Sequence, residues 1–258
     1  MLSAVPLEFL LVIPCYRERD RLPRFLPRLC ETLARSGLRV RVQIVDDGSG
    51  PDQQSWLQLY ASDLQRRFPF LSPPLLHPDN GGKGHAVYTG WKSEADEPWL
   101  AFVDADGAVA PEEVVRVFKQ VRAGIEADAV FAVRTGEAGT VVRRNYKRRL
   151  TGIGFRRLVA RLFAFPVPDT QCGFKVVAAG TYREIRGRLQ EERFCFDIEL
   201  TFRLLEGGFR IASIPISWEE SPGSRLGIGS IFSMASTLLK LKRRLGDWKP
   251  AEPARDFP

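Results

Sequence analysis

Histidine is nearly missing from this chain: His77 and His85 are the only two in 258 residues, which excludes a histidine-rich metal centre. Cysteine is scarce as well. Cys15, Cys30, Cys172 and Cys195 are far apart and never in Cys-x-x-Cys spacing, so they point to buried, reduced thiols rather than to a thiolate metal centre or a redox pair. Long apolar runs are absent. Nothing approaches the roughly 18 residues of a membrane span, and the run Phe9 to Ile13 reads as a strand rather than a secretion signal, so the expected location is the cytoplasm. No excess of acid is present either: 38 Lys and Arg against 31 Asp and Glu leave a net charge of +7. That balance admits nucleic acid, phosphorylated ligands or anionic lipid without choosing among them. No recognition motif accompanies the basic residues, which argues against nucleic acid as partner. The glycine-rich loop around Lys83 lacks the Gly-x4-Gly-Lys-Ser/Thr spacing of a P-loop, which disfavours ATP hydrolysis of that type.

An ordinary globular composition is present instead, 44% apolar and 27% charged, enough for one large α/β domain. Strand-like apolar runs alternate with helical periodicity, which predicts a mainly parallel, Rossmann-like sheet flanked by helices. Strands are expected at Phe9 to Ile13, Val40 to Val45, Leu100 to Val103, Ala129 to Val133, Val176 to Val177 and Ile211 to Ile216. Helices are expected at Arg21 to Arg35, Gln53 to Arg67, His85 to Glu94, Glu112 to Ile125, Arg143 to Phe165, Phe196 to Glu206 and Ile228 to Leu245. No boundary or internal repeat divides the chain, so residues 1–246 read as one domain and 247–258 as a flexible tail. The last helix carries Ile231, Phe232, Leu238, Leu239 and Leu241 beside Lys240, Lys242, Arg243 and Arg244. This pattern suits an interfacial helix on an anionic lipid surface or, equally, a core-packing helix with a solvated basic end.

Four polar clusters follow strand-like runs: Pro14-Cys15-Tyr16-Arg17-Glu18, Asp46-Asp47-Gly48-Ser49, Asn80 to Gly84, and Asp104-Ala105-Asp106. In open α/β sheets ligands settle outside the carboxyl ends of strands, so these clusters can line one crevice. Residues i and i+2 of a strand project to one side, which lets Asp104 and Asp106 converge. Hard oxygen ligands there suit Mg²⁺ or Mn²⁺ neutralising a diphosphate; a turn and helix cap would use the same residues. Tyr16 offers a ring face to a base and Asp46 an acceptor to a base N–H, while Lys83 before a helix suits phosphate. Glu18 pairing with Arg17, and Asp47-Gly48 as a plain turn, are the alternatives.

In this order, Leu11-Val12-Ile13-Pro14-Cys15-Tyr16-Arg17-Glu18, Val45-Asp46-Asp47-Gly48-Ser49, Gly82-Lys83-Gly84 and Val103-Asp104-Ala105-Asp106 resemble the nucleotide-sugar half of family 2 glycosyltransferases of GT-A fold. Asp169-Thr170-Gln171-Cys172-Gly173-Phe174-Lys175, Arg193 to Leu200, and Ser217-Trp218-Glu219-Glu220 with Gly223-Ser224-Arg225-Leu226 resemble the dolichyl-phosphate β-glucosyltransferase branch. The similarity runs from about residue 8 to 245, with about 8–107 as the donor half, about 108–227 as the sugar and acceptor half, and 228–245 as the interfacial helix. It implies transfer of a hexose, glucose from UDP-glucose, to a polyprenyl phosphate. Pro14, Tyr16, Glu18, Asp46 and Asp47, with Lys83, would surround the nucleoside. Asp104 would face the ribose and share the metal, Mg²⁺ or Mn²⁺, with Asp106. Asp169, Gln171, Glu199 and Trp218 would line the sugar side, Arg148 would hold the acceptor phosphate, and Arg225 would reach the leaving diphosphate. Ala108 stands where mannosyl-phosphate relatives carry glutamine, which favours the glucosyl branch and leaves no third protein ligand in view. Gly81-Gly82 stand where glucosyl relatives often carry arginine. The spanning N-terminal segment of eukaryotic relatives has no counterpart here, so contact with the inner face of the membrane is expected to rest on Ile228 to Arg244.

A phosphate acceptor, with a second pKa near about 6, is already an anionic nucleophile at neutral pH and needs little general-base help. A neutral sugar hydroxyl would need one, and Asp197 would then be the base. The alternatives are therefore a family 2 enzyme acting on a sugar hydroxyl in polysaccharide synthesis, or a nucleotide-sugar or phospholipid binder without turnover.

Overall fold

The computed structural model describes residues 6–92, 96–136, 140–143, 146–219 and 228–247, with side chains for all of these except 143–153, 156 and 228–235. The chain begins β1 (Phe9–Cys15), α1 (Leu22–Arg35), β2 (Val40–Asp46), α2 (Pro51–Arg67), β3 (Leu75–Leu76), α3 (Lys83–Lys92), β4 (Trp99–Val103), α4 (Pro111–Arg122) and β5 (Ala129–Val133). It continues β6 (Val142–Arg143), α5 (Tyr146–Phe163), β7 (Phe174–Ala178), α6 (Ala179–Ile185), α7 (Phe196–Glu206), β8 (Ile211–Pro215), β9 (Trp218–Glu219) and α8 (Ile228–Leu245). Seven strands form one sheet in the order β3-β2-β1-β4-β7-β5-β8, and β6 pairs with β9 apart from it. The β1–β2, β1–β4, β2–β3 and β5–β8 pairings are parallel, as expected for alternating strands and helices.

β7 runs antiparallel to both neighbours. Its insertion between β4 and β5 reverses one strand, so the loop entering β7 lies at the same edge as the residues leaving β4. Gly173 O there accepts from Asp104 N at 2.9 Å. The donor half and the second half therefore meet at one sheet edge.

Alternation along β1 explains how the sheet is covered on both faces. Phe9, Leu11 and Ile13 face the layer of α1, α2 and α4, where Phe9 stacks on Phe118 at 4.2 Å; Leu10 and Val12 face α3, α6 and α7 with Trp91, Tyr182 and Phe196. Burial of all five side chains is complete. The four cysteines are free and buried, Cys15, Cys30 and Cys172 in the first of these layers and Cys195 beside Val159, Phe163 and Ile198, and desolvation pushes the Cys30 and Cys195 thiols up to about 12. Helix starts differ from expectation where proline or a polar loop admits an earlier first turn: α2 begins at Pro51, a residue preorganised for that position, and α3 begins at Lys83. The short β3, β6, β9 and α6 carry too few residues to leave a periodic signal.

In the last helix the core-packing alternative holds for the half whose side chains are described. Leu238 and Leu241 are buried with Val159, Phe163, Ile198 and Phe202 of α5 and α7, while Leu239 stays 48% exposed. Its cations are divided too. Lys242 Nζ lies 2.6 Å from Asp247, Arg244 Nη2 donates to Glu199 at 2.9 Å, and Lys240 and Arg243 are exposed. Among the described residues no helix is long and apolar enough to cross a membrane. Truncating Leu238 to Ala should lower the unfolding free energy by about 2–4 kcal/mol, and Leu239→Ala by no more than about 0.5 kcal/mol, in urea titrations of the two variants.

Candidate active site

The donor side is built on the ends of β1, β2 and β3 and on the first turn of α3. Asp47 N donates to Cys15 O at 2.8 Å, and His77 N donates to Asp46 O at 2.9 Å, which binds the three strand ends together. Asp46 is buried, and its carboxylate accepts from Ser49 N at 2.9 Å, from Ser49 Oγ and from Gln54 Nε2 at 2.9 Å. Asp47, also buried, accepts from Asn80 Nδ2 at 2.7 Å, Gly81 N at 2.9 Å and Gly82 N at 2.9 Å. The two carboxylates thus shape the loop that delivers Lys83. Tyr16 is 36% exposed with the Arg17 guanidinium 5.1 Å from its ring centre, so it keeps a surface for a planar ligand. Arg17 itself sits at φ +55°, in the left-handed region, with its N–H bonded to Ser49 Oγ at 2.7 Å. Glu18 pairs with Arg21 at the entry to α1.

Lys83 reaches across to β4, where its Nζ lies 2.6 Å from Asp104 Oδ1. Burial disfavours the ammonium, yet Asp104, Asp197 and Asp106 together hold its pKa above the usual lysine range. Asp106 shows the reverse balance. Desolvation first, and then Asp104, push its carboxyl above the usual carboxylate range, against the pull of the Ala108 N–H, Arg21 and Lys83. A buried carboxyl whose proton affinity a neighbouring carboxylate raises is a place that a divalent cation would relieve. The hard oxygen donors fit Mg²⁺ or Mn²⁺. Gly173 makes this approach feasible: a Cβ there would lie 2.0 Å from Asp104 Oδ2.

The second half contributes three further ion pairs. Arg134, just beyond β5, forks onto Asp169 with Nε at 2.7 Å and Nη2 at 2.9 Å, and its guanidinium lies 5.3 Å from the Trp218 ring centre. Burial works against ionisation of Asp169, but Arg134 holds its carboxyl below the usual range. Gln171 N donates to Asp169 Oδ1 at 3.2 Å, and Trp218 pairs with Val109 beside the Asp106 turn, so the loop around Asp169 and Trp218 closes on the β4 end. Beneath it, Lys175 is fully buried with Nζ 2.6 Å from Asp197 Oδ1 and 2.8 Å from Cys172 O. Burial pushes the Asp197 carboxyl up, with Lys175 and Lys83 opposing. Glu199, fully buried two residues on and so on the other side of α7, accepts from Gln190 N at 2.8 Å, Glu191 N and Arg244.

The structure therefore brings Lys83, Asp104, Asp106, Asp169, Gln171, Asp197 and Trp218 to one end of the sheet, with Pro14, Tyr16, Glu18, Asp46 and Asp47 on the adjoining strand ends. Glu199 faces the α8 side and serves the turn at 190–191. Arg148 lies on α5 with its side chain outside the described residues, and Arg225 lies outside them altogether. Residues missed from sequence are Arg134 and Lys175. A lysine inside an apolar strand is itself a signal, because a buried ammonium requires a partner. Arg134, the first polar residue after an apolar strand, carried the same kind of signal as Asp104.

Residues 10–185 match the family described as Glycosyl transferase family 2. Human dolichyl-phosphate beta-glucosyltransferase is 31% identical over 256 residues, spanning 92% of this chain and 76% of that protein. Polyprenol monophosphomannose synthase of Mycolicibacterium smegmatis is 27% identical over 242 residues, 93% of this chain and 86% of the other. Among solved structures, glucosyl-3-phosphoglycerate synthase from Mycobacterium tuberculosis in complex with Mn²⁺, uridine-diphosphate and glucosyl-3-phosphoglycerate superposes with a TM-score of 0.66 at 15% identity, over 94% of this chain and 81% of the other. That likeness is one of fold. The Asp104 approach predicts that Gly173→Ala, whose Cβ would lie 2.0 Å from Asp104 Oδ2, lowers the unfolding free energy by about 1–3 kcal/mol in urea titrations; an unchanged stability would contradict the contact.

Proposed function

Because the chain belongs to glycosyl transferase family 2 and has the GT-A fold, we propose that it is an inverting hexosyltransferase that carries glucose from UDP-glucose to a dolichyl-type polyprenyl phosphate. About 30% identity to dolichyl-phosphate β-glucosyltransferases over more than nine-tenths of the chain supports the lipid phosphate as acceptor class. The observation that carries the choice is the engagement of Asp197. The residue that would activate a neutral hydroxyl is buried and bound to Lys175 at 2.6 Å, and separating such a pair costs about 3–5 kcal/mol. An acceptor that arrives ionised requires no base, and a phosphate monoester does so at neutral pH.

In this reading catalysis is positioning and charge stabilisation. Tyr16 and the Asp46 loop hold the nucleoside, and Lys83, released in part from Asp104, faces the diphosphate. Mg²⁺ or Mn²⁺ held by Asp106 with Asp104 would supply neutralisation of the diphosphate charge. Arg134 fixes Asp169 towards the sugar hydroxyls, with Gln171 and Trp218 completing that side, while Glu199, expected there, is engaged by Gln190, Glu191 and Arg244 instead. The acceptor phosphate oxygen, aligned by Arg148, attacks the anomeric carbon as the bond to UDP breaks; the electron pair leaves with UDP, towards Arg225. A single displacement turns an α-linked donor into a β-linked lipid phosphate.

The same reading places the protein at the cytoplasmic face of a membrane, held by α8. With Leu238 and Leu241 committed to the core, the contact falls to the first half of the helix and to exposed Leu239, Lys240 and Arg243. One interfacial helix binds reversibly.

Incubation with labelled UDP-glucose, Mg²⁺ and a short polyprenyl phosphate should move label into the organic phase. The rate should rise with pH through about 6, as the acceptor becomes a dianion, and then level. Label passing to a sugar hydroxyl instead, with the acidic limb of the pH profile lost in Asp197→Asn, would overturn the acceptor assignment. On anionic vesicles, Lys240→Gln with Arg243→Gln should weaken flotation by roughly 30-fold, at about 1 kcal/mol per charge; unchanged flotation would remove α8 from the membrane contact.

A further inference from the structure

The only two histidines of the chain stand together on the donor side. His77, just past β3, and His85, in the first turn of α3, have ring centres 4.2 Å apart. Each Nδ1 lies 3.8 Å from the same atom, Asp47 Oδ1, and one ligand atom from each of the three side chains falls within 4.8 Å of the others. Both Nδ1 atoms are buried and have no hydrogen-bond partner. Unpaired buried nitrogens are costly, and two aimed at one carboxylate oxygen call for a shared occupant.

The surroundings are built to hold that arrangement. Asn80 Nδ2 and the Gly81 and Gly82 N–H groups fix the Asp47 carboxylate, so it cannot turn away from the rings. Gly81 leaves His85 reachable, because a Cβ at that position would sit 2.2 Å from Nδ1.

We propose that Asp47, His77 and His85 form a second metal site, for a borderline-soft divalent ion of the Zn²⁺ class, distinct from the hard oxygen site of Asp104 and Asp106. Two imidazole nitrogens and one carboxylate oxygen are a donor set for Zn²⁺ rather than Mg²⁺. The 3.8 Å separations are within about 0.5 Å of the roughly 3.3 Å kept by two ligands about 2.0 Å from a tetrahedral ion. Three protein ligands leave one position for solvent. The ion joins the turn after β2, the segment after β3 and the head of α3, the three pieces that carry Asp46 and Lys83. Its role is a clamp on the donor loop, and its binding does not rest on the identity of the sugar or the acceptor.

Because the chain has no other histidine, imidazole ¹⁵N signals of the tag-free full-length protein report on this site alone. Titration with Zn²⁺ in saturating Mg²⁺ should shift both Nδ1 signals with an endpoint at one equivalent. Co²⁺ should give tetrahedral d–d bands without thiolate charge transfer. His85→Gln should weaken Zn²⁺ binding by at least about 100-fold, whereas Asp106→Asn should leave it unchanged. Imidazole signals that Zn²⁺ does not move would overturn the proposal, even if the variant failed to fold. So would Zn²⁺ uptake that survives His85→Gln or is lost in Asp106→Asn.

Discussion

Everything at the carboxyl end of the sheet depends on how four crowded carboxylates are kept apart in charge. Asp104, Asp106, Asp169 and Asp197 converge where the parallel strands end, and such groups raise one another's proton affinity unless cations stand between them. Lys83 answers Asp104, Arg134 answers Asp169 and Lys175 answers Asp197. Asp106 has no ion pair of this length among the described residues, and burial with Asp104 beside it holds its carboxyl above the usual carboxylate range. In the proposed function this is where a divalent cation would add positive charge.

The antiparallel β7 turns that pattern into a site. Had the strand run with its neighbours, the Asp169 to Gly173 loop would sit at the opposite edge, far from Asp104. Reversal brings Gly173 against the Asp104 backbone, and its missing side chain lets the carboxylate occupy the space. Lys175, one turn of the strand inward, supports Asp197 from below. Fold and electrostatics thus meet at β7 and the residue that enters it, Gly173, with Lys175 inside the strand.

Much of this was legible in the sequence because parallel strands announce themselves. Apolar runs marked β1, β4 and β5 and an alternating run marked β2, with polar clusters after β1, β2 and β4; β4 ends at Val103, so Asp104-Ala105-Asp106 lies in the turn beyond it, and its convergence follows from that turn rather than from strand alternation. The direction of β7 was not legible, since an apolar strand reads alike in either sense. Contacts between distant segments were hidden for a related reason: Lys83 with Asp104, Arg134 with Asp169 and His77 with His85 are products of topology, which local pattern does not encode. The last helix exposed the other limit. Its amphipathic pattern gave one apolar face, and only tertiary packing shows that Leu238 and Leu241 turn inward while Leu239 does not.

Glu199 has a mechanical consequence. Its carboxylate carries Arg244 of α8 on one oxygen and the backbone of Gln190 and Glu191 on the other; the next carbonyl, Glu192 O, accepts from His85 N at the head of α3 at 2.9 Å. Peeling α8 away would strip a cation from a fully buried acid, an expensive event in a dry interior. Glu199 thus ties α8 and the turn leading to the head of α3 to one buried carboxylate, which Arg203 Nη2 also approaches at 3.8 Å.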